Sequence, residues 1–113
     1  MPKNLPRPVE DFRTAYPDVW KAFTELGDHC HKAGPLDEKT RRLVKVALSI
    51  GAGLEGGTHS AVRNALASGV EPEEIRHVAV LGTTTIGLPA TVRSLTWIND
   101  CLSRESIEER TQQ

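Results

Sequence analysis

Helix start and stop signals punctuate this chain at intervals that suit helices of three to four turns. Tyr16-Pro17-Asp18 opens one segment and Gly34-Pro35 closes it; Asp37 opens the next and Gly51-Ala52-Gly53 closes that. Proline is tolerated in a first turn, where its missing N–H has no intrahelical partner, and a glycine just past the end takes the left-handed cap. Asp37 offers a side-chain oxygen to the first free amides. Glu71-Pro72-Glu73-Glu74 sets an early proline among acids at the positive end of the helix dipole, and Gly87-Leu88-Pro89 is a further break.

Between these marks apolar residues recur every three or four positions. Val19, Trp20, Phe23 and Leu26 form one stripe, extended by Cys30. Leu43, Val46, Ala47 and Ile50 form the next, widened by Val44 and Leu48, with Lys39, Arg41, Arg42 and Lys45 on the outer side. A helix from about Gly56 to Ser68 points Ala61, Val62, Ala65 and Leu66 inward, with Gly69 as its cap. Ile75, Val78, Ala79, Gly82 and Ile86 continue the pattern, followed by Val92, Leu95, Trp97, Ile98 and Leu102. Period-two alternation flanked by turn residues is missing. The spacing predicts an all-α bundle of about five to six helices.

At 113 residues there is room for one domain. Pro2, Pro6 and Pro8 predict an extended stretch over 1–8, the first part of an N-terminal arm of 1–16 that ends in a short helical turn at Asp11–Tyr16. The helical domain is expected over 17–102, and the polar segment 103–113 is expected to fray. A formal charge of −1 argues against a strongly basic nucleic-acid binder. The longest uncharged stretch, Val78 to Val92, is interrupted by threonines, Gly87 and Pro89 and falls short of a membrane span. No apolar signal-peptide core opens the chain, and Cys30 and Cys101 form neither a disulfide framework nor a C-x-x-C. The expected compartment is the cytoplasm.

Small residues (Ala47, Ser49, Gly51, Ala52, Ala61, Ala65, Ala79, Gly82) line the helix faces, and only five residues are aromatic. A chain of this size buries roughly 65% of its unfolded surface, which leaves little for a deep private core. Sharing apolar faces with copies of itself in a closed homo-oligomer is the expected remedy.

Chemistry concentrates in Gly53-Leu54-Glu55-Gly56-Gly57-Thr58-His59-Ser60. Glu55 and His59 stand four apart, on one helix face. A carboxylate bonded to one imidazole nitrogen fixes the tautomer and makes the other nitrogen a positioned base. Gly56 and Gly57 are poor in a helix interior, so they predict that Glu55 to Gly57 lie in the first turn. Amides there lack intrahelical partners and suit an anionic oxygen. Arg63, one turn after His59, shares its face, and His77 is a candidate for the same pocket, three residues after Glu74. The competing reading is that Glu55 only caps the helix and His59 is an ordinary histidine. His29-Cys30-His31 points its side chains about 100° apart, too far to chelate one ion without distant help from His59 or His77, so no metal is expected. Thr83-Thr84-Thr85 either lines a pocket or bonds back to the preceding turn.

The order Leu36-Asp37-Glu38-Lys39-Thr40, Ala47-Leu48-Ser49-Ile50-Gly51, Glu55 and His59, Ala65 through Gly69-Val70, Glu71-Pro72-Glu73-Glu74-Ile75 and Gly87-Leu88-Pro89 resembles the carboxymuconolactone decarboxylase family, which includes the alkylhydroperoxidase D-like proteins. The resemblance covers about Leu36 to Asp100. It implies helices that intertwine into homotrimers or homohexamers, with active sites near subunit contacts. The redox branch of that family carries C-x-x-C four residues before a histidine. With that histidine placed on His59, the two cysteine positions fall on Ala52 and Glu55, so thiol peroxidase chemistry of that type is not expected. The decarboxylase branch looks like Glu-x-x-x-His, which Glu55 and His59 match. It implies removal of carbon dioxide from a small carboxylated lactone or organic acid without a cofactor. His59 would transfer the proton, Glu55 would orient it, and Arg63 with the amides of Gly56 and Gly57 would hold the anion. The reading leans towards an enzyme, a decarboxylase-like lyase. Its alternatives are an alkylhydroperoxidase-like antioxidant protein and a non-catalytic oligomeric ligand-binding module.

Overall fold

The computed structural model describes residues 5–112, with side chains for 5–103. Among the described residues every regular element is a helix, with no strand: α1 (Arg7–Ala15), α2 (Pro17–Lys32), α3 (Glu38–Gly51), α4 (Glu55–Ala67), α5 (Pro72–Leu81), a 3-10 turn (Gly82–Thr84) and α6 (Leu88–Gln112). The all-α architecture is the predicted one. No helix among these is long and apolar enough to cross a membrane.

The punctuation acts as its chemistry requires. Asp37 caps α3 by accepting from the Thr40 amide at 2.8 Å, and Pro72 sits in the first turn of α5. The Glu71 amide donates to Glu74 Oε1 at 3.1 Å, which closes that helix start. Gly53, Gly69 and Gly87 take positive φ at three helix ends, where only glycine turns the chain without strain.

Two expectations are corrected. The arm over 1–8 is not extended throughout: α1 begins at Arg7, because Pro8 falls in its first turn, where proline is compatible with a helix. The helix expected to run to Ile86 ends at Leu81, after which the Thr85 amide bonds back to the Gly82 carbonyl and tightens the chain into 3-10 geometry. Residues 1–4 and the side chains of the polar tail lie outside the described residues.

The core lies among α3, α4, α5 and α6. Val46, Ile50, Val62, Ala65, Ile75, Ala79 and Ile98 are its buried centre. The core members are all aliphatic or small, and the close contacts of α3 with α4 and α4 with α6 follow from that. The hairpin of α1 and α2 stands apart from this core and buries no residue. Its α2 stripe, expected to be core, is open to solvent: Val19 is 55%, Phe23 62% and Leu26 60% exposed, and Cys30 is exposed beside them.

Candidate functional site

The turn between α3 and α4 builds the first half of the site. Gly53, at φ 69°, reverses the chain, and Leu54 in extended geometry precedes the helix. The first bond of α4 is Thr58 N–H to the Leu54 carbonyl at 2.9 Å. The amides of Glu55, Gly56 and Gly57 therefore find no acceptor among the described residues, as the first turn of a helix dictates. Glu55 is the first residue of α4 and is exposed.

His59 sits one turn further on, half-buried, and its Nε2 is sealed from solvent with no hydrogen-bond partner. Arg63 Nε, a further turn along, is in the same condition, as is Thr58 Oγ1. Buried polar atoms without partners are rare in folded proteins, because each forfeits its hydration. Their concentration on one stretch of α4 marks it as unusual. Helix α6 backs this stretch, with Cys101 Sγ 3.8 Å from the His59 carbonyl.

Glu55 and His59 do share α4 at the expected spacing, but among the described residues no hydrogen bond or ion pair joins them. His59 and Arg63 each keep a buried nitrogen without a partner one turn apart on α4, and no hydrogen bond or ion pair joins either of them to Glu55 among the described residues. His77 lies elsewhere. It lines an open groove of about 530 Å³ between α3 and α5, together with Leu43, Ala47, Val78, Leu81 and Thr85, and neither His59, Glu55 nor Arg63 lines that groove. Thr85 thus meets the pocket expectation, while Thr83 bonds back to the Val80 carbonyl at 2.7 Å. At the groove's edge, a hydrogen bond from Lys39, helped by the Glu71 amide, holds the Glu74 carboxyl below the usual carboxylate range.

Three further features are not evident from spacing alone. Thr58 and Thr91 are 0% and 3% exposed, and their hydroxyls have no partner. Arg93 reaches from α6 to the α3–α4 turn, where a side-chain carbon on Gly53 would come within 3.4 Å of its guanidinium. That guanidinium also lies over the Trp97 ring, 5.0 Å from the centroid. The Arg-x-x-x-Trp spacing is the one signal that could have drawn attention to it. Among the described residues no group of His, Cys, Asp and Glu side chains is arranged to hold a metal ion.

A model of the carboxymuconolactone decarboxylase family matches residues 17–100. The chain belongs to that family. The match extends the resemblance back to Pro17 and so takes in the exposed α2 as well as the core helices. A search of curated proteins finds no match. Within this member of the carboxymuconolactone decarboxylase family, Ala52 and Glu55 occupy the turn and the first residue of α4, and the two cysteines lie on α2 and α6.

Proposed function

We propose that this family member is a cofactor-independent enzyme of the decarboxylase type, acting on a small carboxylated, lactone-like or related organic acid. One observation carries the reading: His59 Nε2 and Arg63 Nε, one turn apart on α4, are both withheld from water without a partner among the described residues. Desolvated donors of this kind stabilise a developing anion far more than donors in water do.

In the reaction, the bond from the ring carbon to the carboxylate breaks and its electron pair passes to an enolate-like oxygen. Arg63 and the amides of Glu55, Gly56 and Gly57 hold that charge. Protonated His59 gives a proton to the carbon, carbon dioxide leaves, and the imidazole recovers its proton from water. Glu55, one turn below, orients the imidazole once substrate closes the site. The same reading includes self-association into a homotrimer or homohexamer, supported by the uncovered apolar face of α2. The redox reading gains no support, because Cys30 and Cys101 stand on separate helices.

The test is release of carbon dioxide from a panel of small carboxylated lactones and β-keto acids. Wild type should turn over at least one of them. His59→Ala should abolish that turnover with helix content unchanged, and alkylation of the exposed Cys30 should leave it intact. Turnover retained by His59→Ala removes the imidazole from the chemistry.

A further inference from the structure

A guanidinium carries five donors and is ordinarily held by acceptors. Arg7, Arg13, Arg41, Arg42 and Arg76 each bond another side chain. Among the described residues Arg63 and Arg93 make neither a hydrogen bond nor an ion pair, and both stand beside α4. Arg63 is assigned above to the charge that develops in the reaction. Arg93 has no role yet. An aromatic face holds it, with the guanidinium 5.0 Å from the centroid of the Trp97 ring. Contact through the ring face leaves the N–H groups at the guanidinium edge free to bind an anion.

The register of α6 puts this arginine at one end of the α4 site. Arg93, Trp97 and Cys101 recur every four residues and share one face. At the first of them, a side-chain carbon on Gly53 would lie 3.4 Å from the guanidinium. At the last, Cys101 Sγ is 3.8 Å from the His59 carbonyl. The two helices therefore run side by side in the same sense, from the α3–α4 turn towards His59, with Trp97 between the two contacts. Gly53, at φ 69°, stays bare because a side chain there is strained, and the guanidinium comes close to the backbone of the turn. Glu55, two residues further on, forms no ion pair with it. Arg93 is exposed, whereas His59 Nε2 and Arg63 Nε are sealed from solvent. One stretch of α4 thus has an accessible cation at its start and desolvated nitrogens further along.

We propose that Arg93 is a substrate-binding residue of the α4 site, taking an anionic oxygen of the incoming acid at the α3–α4 turn. The inference rests on the reading above for the nature of the ligand, a small carboxylated acid. A departing carboxylate ends as neutral carbon dioxide, so a cation fixed on it would oppose the step. Arg93 therefore binds an anionic group that persists through the reaction, and it favours ground and transition states alike. Its effect falls on KM, while His59 and Arg63 act on kcat. Trp97 is a positioning residue, whose ring fixes where the guanidinium stands.

The experiment uses the full chain carrying Trp20→Phe, so that emission comes from Trp97. It is titrated with cyclopentanecarboxylate, a stable ring acid, and with the neutral methyl ester of that acid. The acid should change the emission saturably and the ester should not. Calorimetry then compares affinities across variants without relying on the indole. Arg93→Gln should weaken binding of the acid about ten- to a hundredfold. Arg93→Lys keeps the charge but loses the planar fork, and should restore part of the affinity. With any acid of the panel that wild type turns over, Arg93→Gln should raise KM by a similar factor, with the smaller share of the loss in kcat. Emission unmoved by the acid, equal affinity for acid and ester, or undiminished binding by Arg93→Gln overturns the proposal. A fall in Tm of Arg93→Gln with affinity unchanged makes the arginine a stacking partner only, and overturns it as well. Absence of turnover across the whole panel would remove the decarboxylase reading, and the titration would still decide the role of Arg93.

Discussion

The imidazole of His31 accepts a hydrogen bond from Arg41 Nε, and this bond joins α2 to α3 across the only linker between them. An imidazole can accept only when neutral. Partial burial, then Arg42, Lys45 and Arg41, push its pKa below the usual histidine value, against a smaller upward pull from Asp28.

The sign of the pH dependence follows. The unfolded histidine, with a pKa of about 6.5, takes up a proton before the folded one does. The stabilisation is therefore complete above about pH 6.5 and declines as pH falls towards the lowered folded value. Hydrogen exchange of α2 amides, corrected for intrinsic rates, should speed up between pH 7 and pH 5.5. His31→Leu should flatten that dependence. An unchanged dependence in this variant would refute the assignment.

Two caps carry a second prediction. Asp37→Ala removes the acceptor of the Thr40 amide, and Glu74→Ala removes both the acceptor of the Glu71 amide and the partner of Lys39. Each should destabilise the fold, seen as a fall in Tm. Both carboxyls are held below their usual pKa, Asp37 chiefly by Thr40 and Glu74 chiefly by Lys39. Their contribution is present above about pH 4 and disappears as acid protonates them. Variants and wild type should converge in stability near the acid limit.

In the core, Ile75→Ala should destabilise the fold by about 2–5 kcal/mol. Ile75 is fully buried within the α3–α6 cluster, so its loss leaves a void among aliphatic neighbours. Urea unfolding would show the midpoint fall with little change in slope. A loss below about 1 kcal/mol would mean that the bundle collapses around the missing atoms.

The two glycines of α4 should part company. A side-chain carbon on Gly56 meets nothing within 4 Å, whereas on Gly57 it would lie 3.1 Å from Leu54 Cβ. Gly56→Ala should stabilise the chain by about 0.4–1 kcal/mol, and Gly57→Ala should not. If Gly56→Ala stabilises the protein and also abolishes turnover, the bare backbone there serves the substrate and not the fold.

Much of the architecture was legible in local chemistry. Asp37, Pro72 and Gly87 mark helix boundaries through capping and dihedral preferences that need no tertiary partner. Helix α1 was obscured because three prolines read as an extended arm, although only Pro8 falls within its first turn. The α2 stripe had the right period but the wrong burial, since periodicity tells which face is apolar and not what covers it. At the site, the His59–Arg63 relation follows from one helix and was recoverable. The separation of His77 from His59 depends on which flank of α5 packs on α3, and the isolation of Thr58 and Thr91 depends on α6. Neither is encoded in spacing along the chain.

The composition of the core has an optical consequence. Three of the five aromatic side chains, Phe12, Tyr16 and Phe23, stand exposed on the hairpin, and Trp20 and Trp97 are half-buried. The aliphatic interior is therefore silent to ultraviolet absorption and emission. The two indoles divide the signal between them: Trp20 senses the hairpin and Trp97 the bundle, so replacing either with phenylalanine isolates the fluorescence of the other part.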